Sequence, residues 1–117
     1  MKCNHLSTKS IIKTVEPVQF KFKDSFSKPI RARIDTGASQ SSIDKKLADK
    51  LGLTNYLGYA NVLSANGVKT RPLVEVKFKL GGKLHSSIFT VADRSKLSFS
   101  VLIGRSDLNN YLSLIHI

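Results

Sequence analysis

Period-two alternation dominates the chain. In "VQFKFK" Val18, Phe20 and Phe22 fall on one face and Gln19, Lys21 and Lys23 on the other, the pattern of a half-buried strand. Ile30, Ala32 and Ile34 alternate with Arg31 and Arg33 and predict a second strand that runs straight into Asp35. "DSFSKP" between them predicts a hairpin connection, and "SSI" after the aspartate a third short strand. "DKKLADKLGL" is the best helix candidate: Asp44 caps the first turn, Leu47 and Leu51 share a face, and Gly52 suits the position after the last turn.

"YANVLSANGVKTRPLVEVKFKL" predicts a long hairpin around Asn66-Gly67, a pair that tolerates positive φ at both central positions. Pro72 then belongs at an edge or a bulge. Val74, Val76, Phe78 and Leu80 alternate with Glu75, Lys77 and Lys79, Gly81-Gly82 turns the chain, and "KLHSSIFTV" returns as a strand. "SVLIG" predicts a short buried strand and "RSDLNN" one helical turn. The tail "YLSLIHI" alternates again and predicts an apolar strand with an exposed edge. The expected fold is mainly β, a closed barrel or sandwich with one or two short helices.

At 117 residues the chain is long enough for one small domain. Residues 1–14 are expected to form a flexible or dimer-contacting arm, and 15–117 the folded domain. Lys and Arg number 19 against 8 acids, a net charge of +11, which favours an anionic partner such as an acidic peptide or nucleic acid. Against nucleic acid, aromatic residues are sparse and several phenylalanines fall on core faces, so no stacking platform is evident. No stretch is apolar for long enough to span a bilayer, and the N-terminus does not read as a signal peptide. Cys3 is the only cysteine, which fits a reducing, cytoplasmic setting. His5, His85 and His116 are scattered and form no metal-ligand spacing, so neither a metal nor another cofactor is expected.

The candidate chemistry lies in "IDTGAS", Ile34 to Ser39. A strand delivers the Asp35 carboxylate to its end, Gly37 lets the main chain turn with its N–H groups unobstructed, and the Thr36 hydroxyl can hold the carboxylate. The tripeptide alone fits an aspartate turn bonded to its own backbone equally well. Far downstream stands "VLIGR", Val101 to Arg105. "IDTGAS" followed by "VLIGR" and a short helix resembles the retropepsin-like aspartic proteases. "RIDTGASQSSID" with "VADRSKLSFSVLIGR" is most similar to the bacterial and archaeal family labelled putative ATP-dependent zinc protease.

That resemblance implies an acid-protease barrel in which the apolar-apolar-glycine run passes beside the aspartate loop. It implies Asp35 as the catalytic carboxylate, with Thr36, Gly37, Ala38 and Ser39 as its loop. Ala65, Asn66 and Gly67 become the tip of a flap over substrate. Ile103, Gly104 and Arg105 become supporting residues, Arg105 bracing the loop with Asp107 or Asp44 as candidate partners. It also implies a functional link to an ATP-grasp ligase and, with the basic charge, acidic or glutamate-rich peptide substrates. Aspartic proteases need two carboxylates sharing a proton. One motif in a chain this short therefore implies a twofold homodimer, its terminal strands interleaving unless they pair within one chain. Two alternatives share the sequence: a non-catalytic binding protein on the same fold, and a basic nucleic-acid-binding protein.

Overall fold

The structure, a computed structural model, describes residues 10–12, 14–65, 67–108 and 111–113. Among the described residues, ten strands and one short helix follow in chain order. They are β1 (Ser10–Ile12), β2 (Val15–Phe22), β3 (Ser25–Phe26), β4 (Ile30–Ile34), β5 (Ser42–Asp44), α1 (Lys45–Lys50), β6 (Tyr56–Ser64), β7 (Gly67–Leu80), β8 (Lys83–Ala92), β9 (Val101–Ile103) and β10 (Tyr111–Ser113). A 3-10 turn, Arg105–Asp107, follows β9.

Eight strands form one sheet in the order β3-β2-β4-β9-β5-β8-β7-β6, and a further pairing of β2 with β7 closes it on itself. Closure removes most free edges, which suits a small all-β chain. The alternation sets the core. Val74, Val76, Phe78 and Leu80 of β7 are buried while Glu75, Lys77 and Lys79 are exposed. Phe20, Phe78 and Phe89 meet at the centre with ring centroids 5.3 to 6.3 Å apart, in tilted and edge-on geometries. Such pairs add about 0.5–1.5 kcal/mol each beyond the area they bury.

The connection that matters for function is not local. β4 pairs in parallel with β9, bringing Ile34 opposite Ile103, and β5 lies antiparallel on the other side of β9. The chain thus leaves β4, loops through residues 35–41, and returns on the far side of a strand from the other end of the sequence. β1 and β10 pair in parallel with each other, within the chain, as a separate two-stranded ribbon. Most of the N-terminal arm and the end of the tail lie outside the described residues, as do Cys3, His5 and His116.

Three details differ from the sequence-based expectation. Phe22 does not join Val18 and Phe20 in the core; it is 46% exposed. β2 ends there because Lys23 turns at φ 56°, and the Phe22 ring lies against Gly52 instead, where a Cβ would sit 2.8 Å from it. Asp44 precedes α1 but makes no side-chain cap. Its carboxylate is recruited across the fold, accepting from the Arg94 main-chain N–H at 2.7 Å. The long hairpin turns one residue earlier than expected, since Ser64 pairs with Gly67 and leaves Ala65-Asn66 between them. Asn66 itself lies outside the described residues. Pro72 sits just before β7 begins its pairing with β8 at Leu73, so its missing N–H interrupts no ladder on that side.

Candidate active site

Asp35 leaves the end of β4 with its main-chain N–H donating to the Ile103 carbonyl at 2.9 Å. The last strand bond thereby fixes the aspartate to the second motif. One carboxylate oxygen, Oδ1, accepts the Gly37 N–H at 2.9 Å, and the Ala38 N–H closes a turn onto the Asp35 carbonyl. A Cβ on Gly37 would stand 3.2 Å from that same Oδ1, so the small residue keeps the carboxylate's seat open. Asp35 is half-buried and lines a cavity together with Thr14, Arg33, Thr36 and Phe99.

The rest of the loop is held from the other motif. Arg105 N–H donates to the Ala38 carbonyl at 2.8 Å and Ser106 N–H to the Ser39 carbonyl at 3.1 Å. The Arg105 guanidinium donates to the Thr36 carbonyl at 3.0 Å. Neither acid anticipated as its partner takes that place: Asp44 receives Arg94, and Asp107 receives the Ser41 hydroxyl at 2.5 Å. That hydroxyl is a hub. It donates to Asp107 and accepts the Gly104 N–H at 3.0 Å, at a residue with no exposed surface. Gly104 is there for space, since a Cβ would fall 2.6 to 2.8 Å from the main chain of Gln40. Ser41 carried no signal in the sequence because its two partners stand more than 60 positions away.

Between the aspartate loop and the β6–β7 hairpin lies a cleft of about 550 Å³. Ala38, Gln40, Ser42, Leu63 and Leu102 line it, together with two cations, Arg71 and Arg94. The hairpin tip, Ala65 and Gly67, is exposed. Arg94 is built in: its Nε donates to the Phe99 carbonyl at 3.0 Å and its N–H to Asp44. Burial holds its guanidinium below the ordinary value and the Arg71 charge presses the same way, with Asp44 and Asp35 opposing. It stays charged at any physiological pH.

A profile of the aspartyl protease family matches residues 18–106, a span that runs from β2 through both motifs. The chain belongs to the aspartyl protease family. The match takes in the aspartate loop, the hairpin and the strand that crosses behind them. Among solved structures, the EIAV protease complexed with an inhibitor superposes with a TM-score of 0.64 at 17% identity, covering 88% of this chain and 91% of that one. The simian foamy virus protease gives 0.60 at 14% identity, with 80% and 90% covered. A Legionella pneumophila protein of unknown function gives 0.58 at 18% identity, with 89% and 90% covered. A search of curated proteins gives no match. At these identities the structures speak for the fold: a retropepsin-like barrel. No helix among the described residues is long and apolar enough to cross a membrane.

Proposed function

We propose that the protein is an aspartic peptidase working as a homodimer, with one Asp35 from each subunit meeting across a twofold axis. One observation carries this. Asp35 is fixed at the end of the β4–β9 pair with one oxygen tied to Gly37, and among the described residues no second carboxylate lines the cleft or the cavity beside it. A lone carboxylate cannot both accept a proton from water and donate one to the scissile carbonyl. Two in contact resist ionising together, so one keeps a proton and donates while the other activates the water. The pair would titrate as a unit.

Among the described residues β1 and β10 pair with each other within the chain, and a two-stranded ribbon is marginal in water by itself, which favours cover by a second subunit. In the dimer Thr36 bonds across the axis, Ala38 spaces the loop, and the β6–β7 hairpin closes over substrate. The "IDTGAS" and "VLIGR" motifs support kinship with the family labelled putative ATP-dependent zinc protease, and with it a cytoplasmic enzyme working beside an ATP-grasp ligase on acidic peptides. That label implies zinc. Among the described residues no group of three or more His, Cys, Asp or Glu side chains could hold a metal ion, so they do not fit one and the proposed reaction has no metal step.

The test is hydrolysis of a peptide library by the wild-type chain and by Asp35→Asn. Cleavage that vanishes in the variant, with a bell-shaped dependence on pH, is the expected result. Hydrolysis that persists in Asp35→Asn would show that the aspartate loop is not the catalytic centre.

A further inference from the structure

The cleft wall holds a hydroxyl that the fold leaves without a partner. Ser42 is 6% exposed, and its Oγ makes no hydrogen bond among the described residues. Its polar neighbours are satisfied: Thr90 Oγ1 donates to the Ser41 carbonyl at 3.4 Å, and Gln40 Nε2 to the Ile88 carbonyl at 3.3 Å. An orphaned buried hydroxyl is rare in a folded protein and calls for an explanation. Ser42 lines the same cleft as Arg71 and Arg94.

The two arginines share the anomaly. Neither guanidinium has a side-chain carboxylate of this chain within ion-pairing distance, although the eight acids all fall among the described residues. Arg94 is anchored through Nε and its main chain, which leaves the Nη edge of the guanidinium with no protein partner among the described residues. Arg71 stands on β7 opposite Ala60 of β6, midway along the hairpin, and lines the cleft together with Arg94, whose guanidinium its charge disfavours. Two half-buried cations line a cleft that no acidic residue lines, while the Ser42 hydroxyl oxygen has no accessible surface of its own.

We propose that Arg71 and Arg94 form a subsite that binds one side-chain carboxylate of the peptide substrate. A guanidinium edge matches the two oxygens of a carboxylate, and a second cation balances the charge. An uncharged isostere leaves two cations uncompensated, and a lysine side chain adds a third. The assignment rests on the peptidase reading for the nature of the ligand: the cleft lies between the aspartate loop and the hairpin, where a bound peptide would run. Net charge alone could not make this distinction, since it says nothing about where the cations converge.

The experiment uses octapeptides identical except for one residue, Glu, Gln or Lys, moved through each position. Two readouts are taken: kcat/KM with the wild-type protein, and equilibrium binding to the full-length Asp35→Asn protein by fluorescence anisotropy. At one position Glu is expected to exceed Gln by about 10- to 100-fold in both readouts, as for hydrogen bonds to a charged group. In Arg71→Gln the Glu-to-Gln ratio falls towards one, and Arg71→Lys restores part of it. Among the described residues Arg71 makes no hydrogen bond through its side chain, so its variants carry the test even where Arg94→Gln, which loses the Phe99 contact, fails to fold. Equal binding of Glu and Gln peptides by the Asp35→Asn protein overturns the subsite, as does a ratio unchanged in Arg71→Gln. Absence of cleavage for every peptide counts against the peptidase reading, while the binding ratio still decides the subsite.

Discussion

Adding one methyl group at Gly104 should damage the fold through the aspartate loop. Gly104 has φ −95° and ψ 179°, extended backbone open to any residue, so conformational strain plays no part. The obstacle is steric. A Cβ there would lie 2.6 Å from the Gln40 carbonyl carbon, 2.7 Å from its oxygen and 2.8 Å from its nitrogen. None of these atoms can rotate away, and the loop that carries them also carries Asp35. Overpacking typically costs about 1–3 kcal/mol, and three main-chain clashes put Gly104→Ala near the upper end, about 3 kcal/mol. For a domain of this size that corresponds to a fall of about 10 °C in Tm. The control is Gly58→Ala in β6, where a Cβ would meet nothing within 4 Å. Lower chain entropy in the unfolded state should make that change neutral or stabilising by about 0.5–1 kcal/mol. Urea unfolding of both variants and the wild type, at one fixed protein concentration, gives the comparison. A Gly104→Ala midpoint within about 0.5 kcal/mol of wild type would refute the packing of the two motifs described above.

Three further outcomes are expected. Asp35→Asn should abolish hydrolysis yet unfold at nearly the wild-type urea concentration, because an amide oxygen can still accept the Gly37 N–H; a large loss of stability would assign Asp35 a structural role. Ser41→Ala strands the buried Gly104 N–H and removes the donor to Asp107, and should cost about 1–3 kcal/mol in the same assay, whereas an unchanged midpoint would dismiss the hub. His85 stacks on Phe78 with centroids 5.1 Å apart, and burial pushes its pKa below 6.5, with Asp107 opposing and Lys83 assisting. The unfolded imidazole then takes up a proton first as pH falls. Its share of stability is complete above 6.5 and is lost between there and the lower folded value. The stability gap between wild type and His85→Phe should therefore shift against the wild type as pH drops from the neutral range, and a gap that stays constant would contradict the sign.

What the sequence disclosed was whatever depends on near neighbours along the chain. The faces of β7 were legible because Val74 to Leu80 alternate without a break, and Gly81-Gly82 marked the turn because both residues sit at positive φ. The aspartate loop announced itself through Gly37, two residues from the carboxylate it serves. Hidden were the choices made across the fold. Asp44 had every local reason to cap α1, yet it holds the Arg94 N–H. Phe22 kept the rhythm of Val18 and Phe20, but Lys23 ends the strand and turns the ring onto Gly52. The contacts of Ser41 with Gly104 and Asp107 arise only once β9 has crossed between β4 and β5. A local pattern cannot encode which distant segment will supply a partner.

The claim on which the function turns is that two subunits contribute one carboxylate each. Subunit dilution tests it most directly: wild-type and Asp35→Asn chains are unfolded together, refolded to randomise pairing, and assayed at constant total protein. With equal parts, about one quarter of dimers carry two aspartates, so activity should fall to about a quarter of the all-wild-type value. A fall to about one half, tracking the wild-type fraction linearly, would mean that each chain acts alone and would contradict the shared-proton site.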